Sequence, residues 1–62
     1  MTDSEPADRV RTLLLRGDNL LKHGRSPDQA REAFLEARAV AAGAGLDERI
    51  RALIERRLEQ LG

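Results

Sequence analysis

Few side chains in this 62-residue sequence could act in catalysis. His23 is the only histidine, the residue type best suited to proton transfer at neutral pH, but a catalytic histidine also needs a carboxylate that orients it. It precedes Gly24 at the expected end of a helix, where a histidine is favoured by the negative end of the helix dipole. We therefore interpret His23 as structural and predict that the protein is not an enzyme.

Two pairs of glutamates recur at a spacing of four residues, Glu32 with Glu36 and Glu55 with Glu59. On a helix this spacing places both carboxylates on one face, where they could ligate a divalent cation. No histidine lies beside either pair, and the chain contains no cysteine. We interpret the glutamates as solvated surface charges and predict neither a metal nor another cofactor.

Four arginines give the last segment a basic character, which would suit a helix that reads nucleic acid. They are Arg49, Arg51, Arg56 and Arg57. Glutamates interleave with them, the whole chain has 11 acidic and 11 basic residues, and no aromatic side chains are present on which bases could stack in that segment. We therefore expect a protein partner and keep a small nucleic-acid-binding regulator as the alternative.

The short length favours association with another chain. A domain of this size buries only about 60% of the surface of its unfolded form, so disulfides, a metal or oligomerisation usually stabilise it. Cysteine is absent, which leaves oligomerisation. The longest apolar run, residues 39–42, is far below the ~20 residues of a membrane span, and no secretory signal is evident. We expect a cytoplasmic homo-oligomer, and the arginine and alanine content favours a bacterial origin.

The spacing of apolar residues at i, i+3, i+4 and i+7 predicts an all-α fold. Three helices are expected, over residues 6–23, 27–43 and 47–61. Because only two or three residues join the first two helices, these should form an antiparallel hairpin, with the third, amphipathic helix packed against it. Residues 6–62 then form one domain, and residues 1–5 are expected to be flexible.

The predicted helix ends rest on capping residues. Gly24 should end the first helix in the left-handed conformation. Ser26 and Gln29 have the spacing of a capping box at the start of the second helix. Gly43 and Gly45 should break the second helix, and Asp47 should cap the third.

The crossing point of the first two helices is predicted from the position of several small residues and one large aromatic residue. We expect Phe34 to fill the seam between the helices, and Gly17 to allow close packing against Ala30 or Ala33. The full predicted core of the hairpin is Leu13, Gly17, Leu20, Ala30, Phe34 and Ala37.

These residues resemble the tetratricopeptide repeat, a helix-turn-helix unit with small residues at the helix crossing. The resemblance is carried by Gly17, Leu20, the turn Lys22-His23-Gly24, Ala30, Phe34 and Ala37. The last helix resembles the capping helix that follows a final repeat. The chain is also similar to the microtubule-interacting-and-trafficking domain, a three-helix bundle of about this size. Both families bind helical segments of other proteins, so either resemblance implies a protein–protein interaction module.

Two leucines lie off the main apolar stripes of their helices, Leu15 on the first and Leu35 on the second. With the outer edge of the third helix they could form a second apolar surface for a partner helix or a second copy. This predicted surface comprises Leu15, Leu35, Leu58 and Leu61, with Arg49 and Arg56 as its basic rim. A structural assembly subunit without a separate ligand is the remaining alternative.

Overall fold

The computed structural model describes residues 5–24 and 26–61, which form three α-helices and no strand. Helix α1 spans Pro6–Lys22, α2 spans Pro27–Ala44 and α3 spans Glu48–Leu61. The prediction of an all-α fold with three helices is confirmed, and each helix differs from its predicted range by a single residue. The expectations for residues 1–4 and for Gly62 lie outside the described residues.

Helix α2 lies between the other two helices. Both α1 and α3 pack along it, whereas α1 and α3 approach each other closely at very few positions. The Cα atoms extend over 35 × 23 × 14 Å, and a width of 23 Å fits three helices side by side at the usual interaxial distance of about 9 Å. Among the described helices, none is long and apolar enough to cross a membrane.

The buried core takes residues from all three helices. Its cluster consists of Val10, Leu13, Ala37, Ala41 and Ile54. Half-buried side chains pack around this cluster, namely Leu14, Val40, Leu46, Ile50 and Leu58. Ile54 is fully buried, so it is the side chain that anchors α3 to the hairpin.

Helices α1 and α2 pack tightly where Gly17 meets Phe34. Phe34 is fully buried, and a Cβ atom on Gly17 would lie 2.6 Å from its Cζ atom and closer still to Cε1. The three atoms nearest to that position all belong to the Phe34 ring, whereas the sequence-based prediction paired Gly17 with Ala30 or Ala33. The aromatic ring fills the space between the helices, so the glycine makes room for the ring.

The end of α1 follows the predicted pattern. Gly24 has a φ of +69°, and its N–H donates to the carbonyl of Leu21 at 3.1 Å. The Nδ1 atom of His23 donates a hydrogen bond to the carbonyl oxygen of Asn19 at 3.0 Å, since a carbonyl oxygen can only accept. The same carbonyl also accepts the backbone N–H of His23 at 3.0 Å, so the imidazole adds a second hydrogen bond to it.

The end of α2 lies at the second of the two glycines that were predicted to break it. Gly43 lies inside the helix, which continues to Ala44 and ends at Gly45 with a φ of +64°. The N–H of Gly45 donates to the carbonyl of Ala42 at 3.3 Å, and that of Leu46 to Ala41 at 3.0 Å. This pair of bonds is a Schellman motif, which needs the left-handed glycine after the last helical turn and so places the break at Gly45.

The two predicted N-terminal caps have different outcomes. Asp47 caps α3, because its Oδ1 accepts a hydrogen bond from the N–H of Arg49 at 3.0 Å. The capping box at Ser26 is wrong, since the serine side chain makes no capping hydrogen bond. The N–H of Gln29, which a capping box would use, already donates to the backbone carbonyl of Ser26 at 3.2 Å.

This difference predicts unequal effects of two alanine substitutions. Asp47→Ala removes a capping hydrogen bond and should lower the free energy of unfolding by about 1 kcal/mol. Ser26→Ala is the matched control and should change it by less than about 0.5 kcal/mol. Urea denaturation followed by far-UV circular dichroism measures both. If Asp47→Ala also lowered the free energy of unfolding by less than about 0.5 kcal/mol, the Asp47 side chain would not stabilise α3.

Candidate functional site

An open groove with an apolar lining runs between α1 and α3, with a volume of about 290 Å³. We call it the α1–α3 groove. From α1 it is lined by Ala7, Val10, Arg11, Leu14, Leu15 and Asp18, and from α3 by Ile50, Leu53 and Arg57. Each set follows a helical spacing of three or four residues, so one face of each helix lines the groove.

Three consecutive leucines show how α1 serves both the core and the groove. Successive residues of an α-helix point about 100° apart, because there are 3.6 residues in each turn. Leu13 is therefore buried in the core, Leu14 is half-buried beneath the groove, and Leu15 reaches its outer edge.

The outer edge of the groove carries an exposed leucine from each helix. Leu15 is 56% exposed and Leu53 is 47% exposed, while Val10 beneath them is buried. Leu14 and Ile50 are half-buried against the core. Two large apolar side chains thus remain in water on opposite sides of one groove, which is typical of a surface that another molecule covers.

An ion pair connects the two walls of the groove. The Nε and Nη2 atoms of Arg57 donate to Oδ1 and Oδ2 of Asp18, both at 3.1 Å. This two-point geometry fixes the orientation of both side chains better than a single contact does. A second pair joins α2 to α3, with Arg38 and Glu55 3.4 Å apart, but both side chains are about half exposed and add little stability.

Most of the predicted hairpin core lies inside the protein. Leu20 is half-buried, and the buried members are Leu13, Gly17, Ala30, Phe34 and Ala37. These residues form the buried seam of the hairpin.

The residues of the predicted second apolar surface do not form one surface. Leu15 lines the α1–α3 groove, but Leu35 is exposed on α2 and does not line it. Leu58 is half-buried and packs against the core instead of facing outward. Leu61 is half-buried near the end of α3.

The two predicted rim arginines lie on the outer side of α3. Arg49 and Arg56 line a shallow depression there, together with Leu53. Leu53 therefore borders both this depression and the groove. The arginines flank the exposed leucine without lining the groove itself.

Leu53 is the functional candidate that the sequence reasoning missed, because apolar spacing alone does not show which leucines of α3 face the hairpin. A signal for its exposure is present in the pattern. At 100° per residue, the apolar positions of α3 from Leu53 round to Leu58 cover about 140° of its circumference. The apolar stripe that a surface helix buries is about 100° wide, which is narrower than this arc. One edge of the arc therefore remains in contact with water.

The other side of the hairpin is polar. Between α1 and α2 the surface is lined by Arg16, Leu20, Gln29, Glu32, Ala33 and Glu36. Both predicted carboxylates of the first glutamate pair are on this side and share it with an arginine. Because this surface is polar and the α1–α3 groove is apolar, the groove is the better candidate for a binding site.

Comparison with family models, curated proteins and solved structures gives no match to this chain. The geometry of the groove therefore carries the functional argument.

Proposed function

We propose that the protein is a non-enzymatic protein–protein interaction module whose α1–α3 groove binds an α-helix of a partner. The observation that carries this proposal is the pair of half-exposed leucines, Leu15 and Leu53, on opposite edges of an open apolar groove. A ligand that covers both side chains removes their apolar surface from water and is stabilised by that burial.

The shape of the groove favours a helix as the ligand. Its α1 wall runs from Ala7 to Asp18, which is three turns of helix and about 16 Å long. Side chains on both walls recur at helical spacing, so the apolar stripe of a third helix can fit its ridges between them. Helix-in-groove recognition uses this arrangement, with apolar anchors at i, i+3 or i+4 and i+7 of the ligand.

Two further points support this ligand class. The tetratricopeptide repeat and the microtubule-interacting-and-trafficking domain, which the sequence resembles, both bind helical segments. The mixed charges around the groove, Arg11 with the Asp18–Arg57 pair, also suit a protein better than a polyanion. We propose that the interaction takes place in the cytoplasm, in line with the absence of cysteine.

Selected helical peptides can test the proposal. We expect peptides chosen from a displayed library of amphipathic helices to shift the amide resonances of residues that line the groove. Leu53→Glu should weaken their binding by about tenfold or more, because it places a charge against their apolar stripe. Nuclear magnetic resonance titration of the ¹⁵N-labelled protein measures both effects.

Leu35→Glu is the matched control, since Leu35 is exposed to a similar degree and lies outside the groove. It should leave peptide binding within about twofold of wild type. Peptides that bind Leu53→Glu as well as wild type, or that lose affinity only for Leu35→Glu, would overturn the proposal.

A further inference from the structure

The outward face of α1 carries an ordered pattern of charge. Five residues recur at spacings of three, four, three and four, which aligns them along one side of a helix. In chain order they are Asp8, Arg11, Leu15, Asp18 and Lys22. Their character is negative, positive, apolar, negative and positive, and all except the half-buried Asp18 are exposed. We call this row the α1 stripe.

The α1 stripe is complementary to itself when reversed. If a second α1 runs antiparallel with the two Leu15 side chains facing each other, Asp8 of each copy lies opposite Lys22 of the other. The position directly opposite Asp18 of one copy is one residue away from Arg11 of the other copy. This offset is about 1.5 Å along the helix axis. A parallel pair would instead place like charges opposite each other, so the pattern favours only the antiparallel arrangement.

The α1–α3 groove would hold a second helix in the same position as the α1 stripe does. Leu15 belongs both to the α1 stripe and to the α1–α3 groove, where Leu53 faces it from α3. A second α1 centred on Leu15 therefore brings its own Leu15 over Leu53. By twofold symmetry the same contact forms in the other copy, and four leucines surround the axis.

The charges of the stripe are available for these contacts. Among the described residues, Asp8, Arg11 and Lys22 take part in no ion pair within the chain. Asp18 is held by Arg57, yet its side chain remains 41% exposed and can accept a further donor.

We infer that the helix bound by the groove is α1 of a second copy, in a twofold antiparallel dimer centred on Leu15. This inference rests on the proposed function, because it names the occupant of the same groove. It also gives this short chain the association that its small core and lack of cysteine call for.

A pair of charge-reversal variants tests the register. Asp8→Lys and Lys22→Asp each make the stripe repel its own antiparallel copy at both ends. Each variant alone should raise the dimer dissociation constant by about tenfold or more, and an equimolar mixture of the two should return it to near the wild-type value. Sedimentation equilibrium of each sample over a range of concentrations measures these constants.

Leucine variants test the centre of the interface. Leu15→Glu should abolish the dimer, whereas Leu35→Glu should leave it intact, and circular dichroism should show unchanged helix content because both leucines are exposed. A wild-type protein that stays monomeric up to millimolar concentration would overturn the inference. So would a dimer that Leu15→Glu leaves intact, or one in which the charge reversals have no effect.

These outcomes are separate from the test of the proposed function. Selected peptides that bind the groove of a monomeric wild type would sustain helix binding and overturn only the second copy as occupant. Loss of peptide binding in Leu35→Glu but not in Leu53→Glu would overturn the groove itself, whatever the state of association.

Discussion

Replacement of Phe34 by alanine is expected to unfold most of the protein at room temperature. The ring is fully buried between α1 and α2, and its removal leaves a cavity next to Gly17. Such substitutions cost about 3–5 kcal/mol. At roughly 0.05–0.15 kcal/mol per residue, a chain of this length has about 3–9 kcal/mol of stability in total. Far-UV circular dichroism at 25 °C and in a thermal scan measures the loss.

The neighbouring Leu35 supplies the control for this substitution. It lies on the same helix but is 41% exposed, so Leu35→Ala should change the free energy of unfolding by less than about 0.5 kcal/mol. If Phe34→Ala melted at the wild-type temperature, Phe34 would not be a core residue. The alignment of the hairpin with the tetratricopeptide repeat would then also be wrong.

Gly17→Ala is expected to destabilise the protein although alanine is the better helix former. The gain in helix propensity is about 1 kcal/mol. This gain is opposed by the overlap of the new Cβ with the Phe34 ring, which is fully buried. Overpacking of a core costs about 1–3 kcal/mol, and a contact this short belongs at the upper end, so we expect a net loss of about 1–2 kcal/mol. Urea denaturation measures it.

Gly43→Ala provides a control with the opposite sign. Gly43 also lies within a helix, but no atom lies within 4 Å of the position that a Cβ would take. The substitution therefore adds only the higher helix propensity of alanine, which should stabilise the protein by about 0.5–1 kcal/mol. A stabilising effect of similar size at Gly17 would show that the ring does not pack tightly on the glycine. Phe34→Leu combined with Gly17→Ala should recover part of the lost stability, because the branched side chain is smaller.

The helices could be predicted from the sequence because their evidence is local. Apolar spacing within α1, α2 and α3 depends only on residues three or four positions apart, and it located each helix to within one residue. The alanines around Phe34 likewise showed which face of α2 is buried. Ser26 shows the limit of local reasoning, since a capping side chain and a backbone carbonyl compete for the same N–H, and only coordinates show which one binds it.

The groove could not be predicted because it depends on how the helices are rotated against one another. The apolar arc of α3 is compatible with packing on either flank of α2, and each choice would expose a different leucine. For this reason Leu15 and Leu35 were grouped on one surface, although only Leu15 faces α3. The contact partner of Gly17 was missed for a related reason, since the sequence does not reveal how far a ring reaches across a helix seam.

The contact between Gly17 and Phe34 also has a spectroscopic consequence. Phe34 is the only phenylalanine in the sequence, which contains neither tyrosine nor tryptophan. The imidazole of His23 is exposed at the end of α1, so ring-current shifts in the seam between α1 and α2 arise from Phe34, and the α-protons of Gly17 lie against its ring. Their chemical shift reports directly whether α1 and α2 are docked, without any label. The same composition leaves the chain almost transparent at 280 nm, so refractive index is the suitable measure of its concentration.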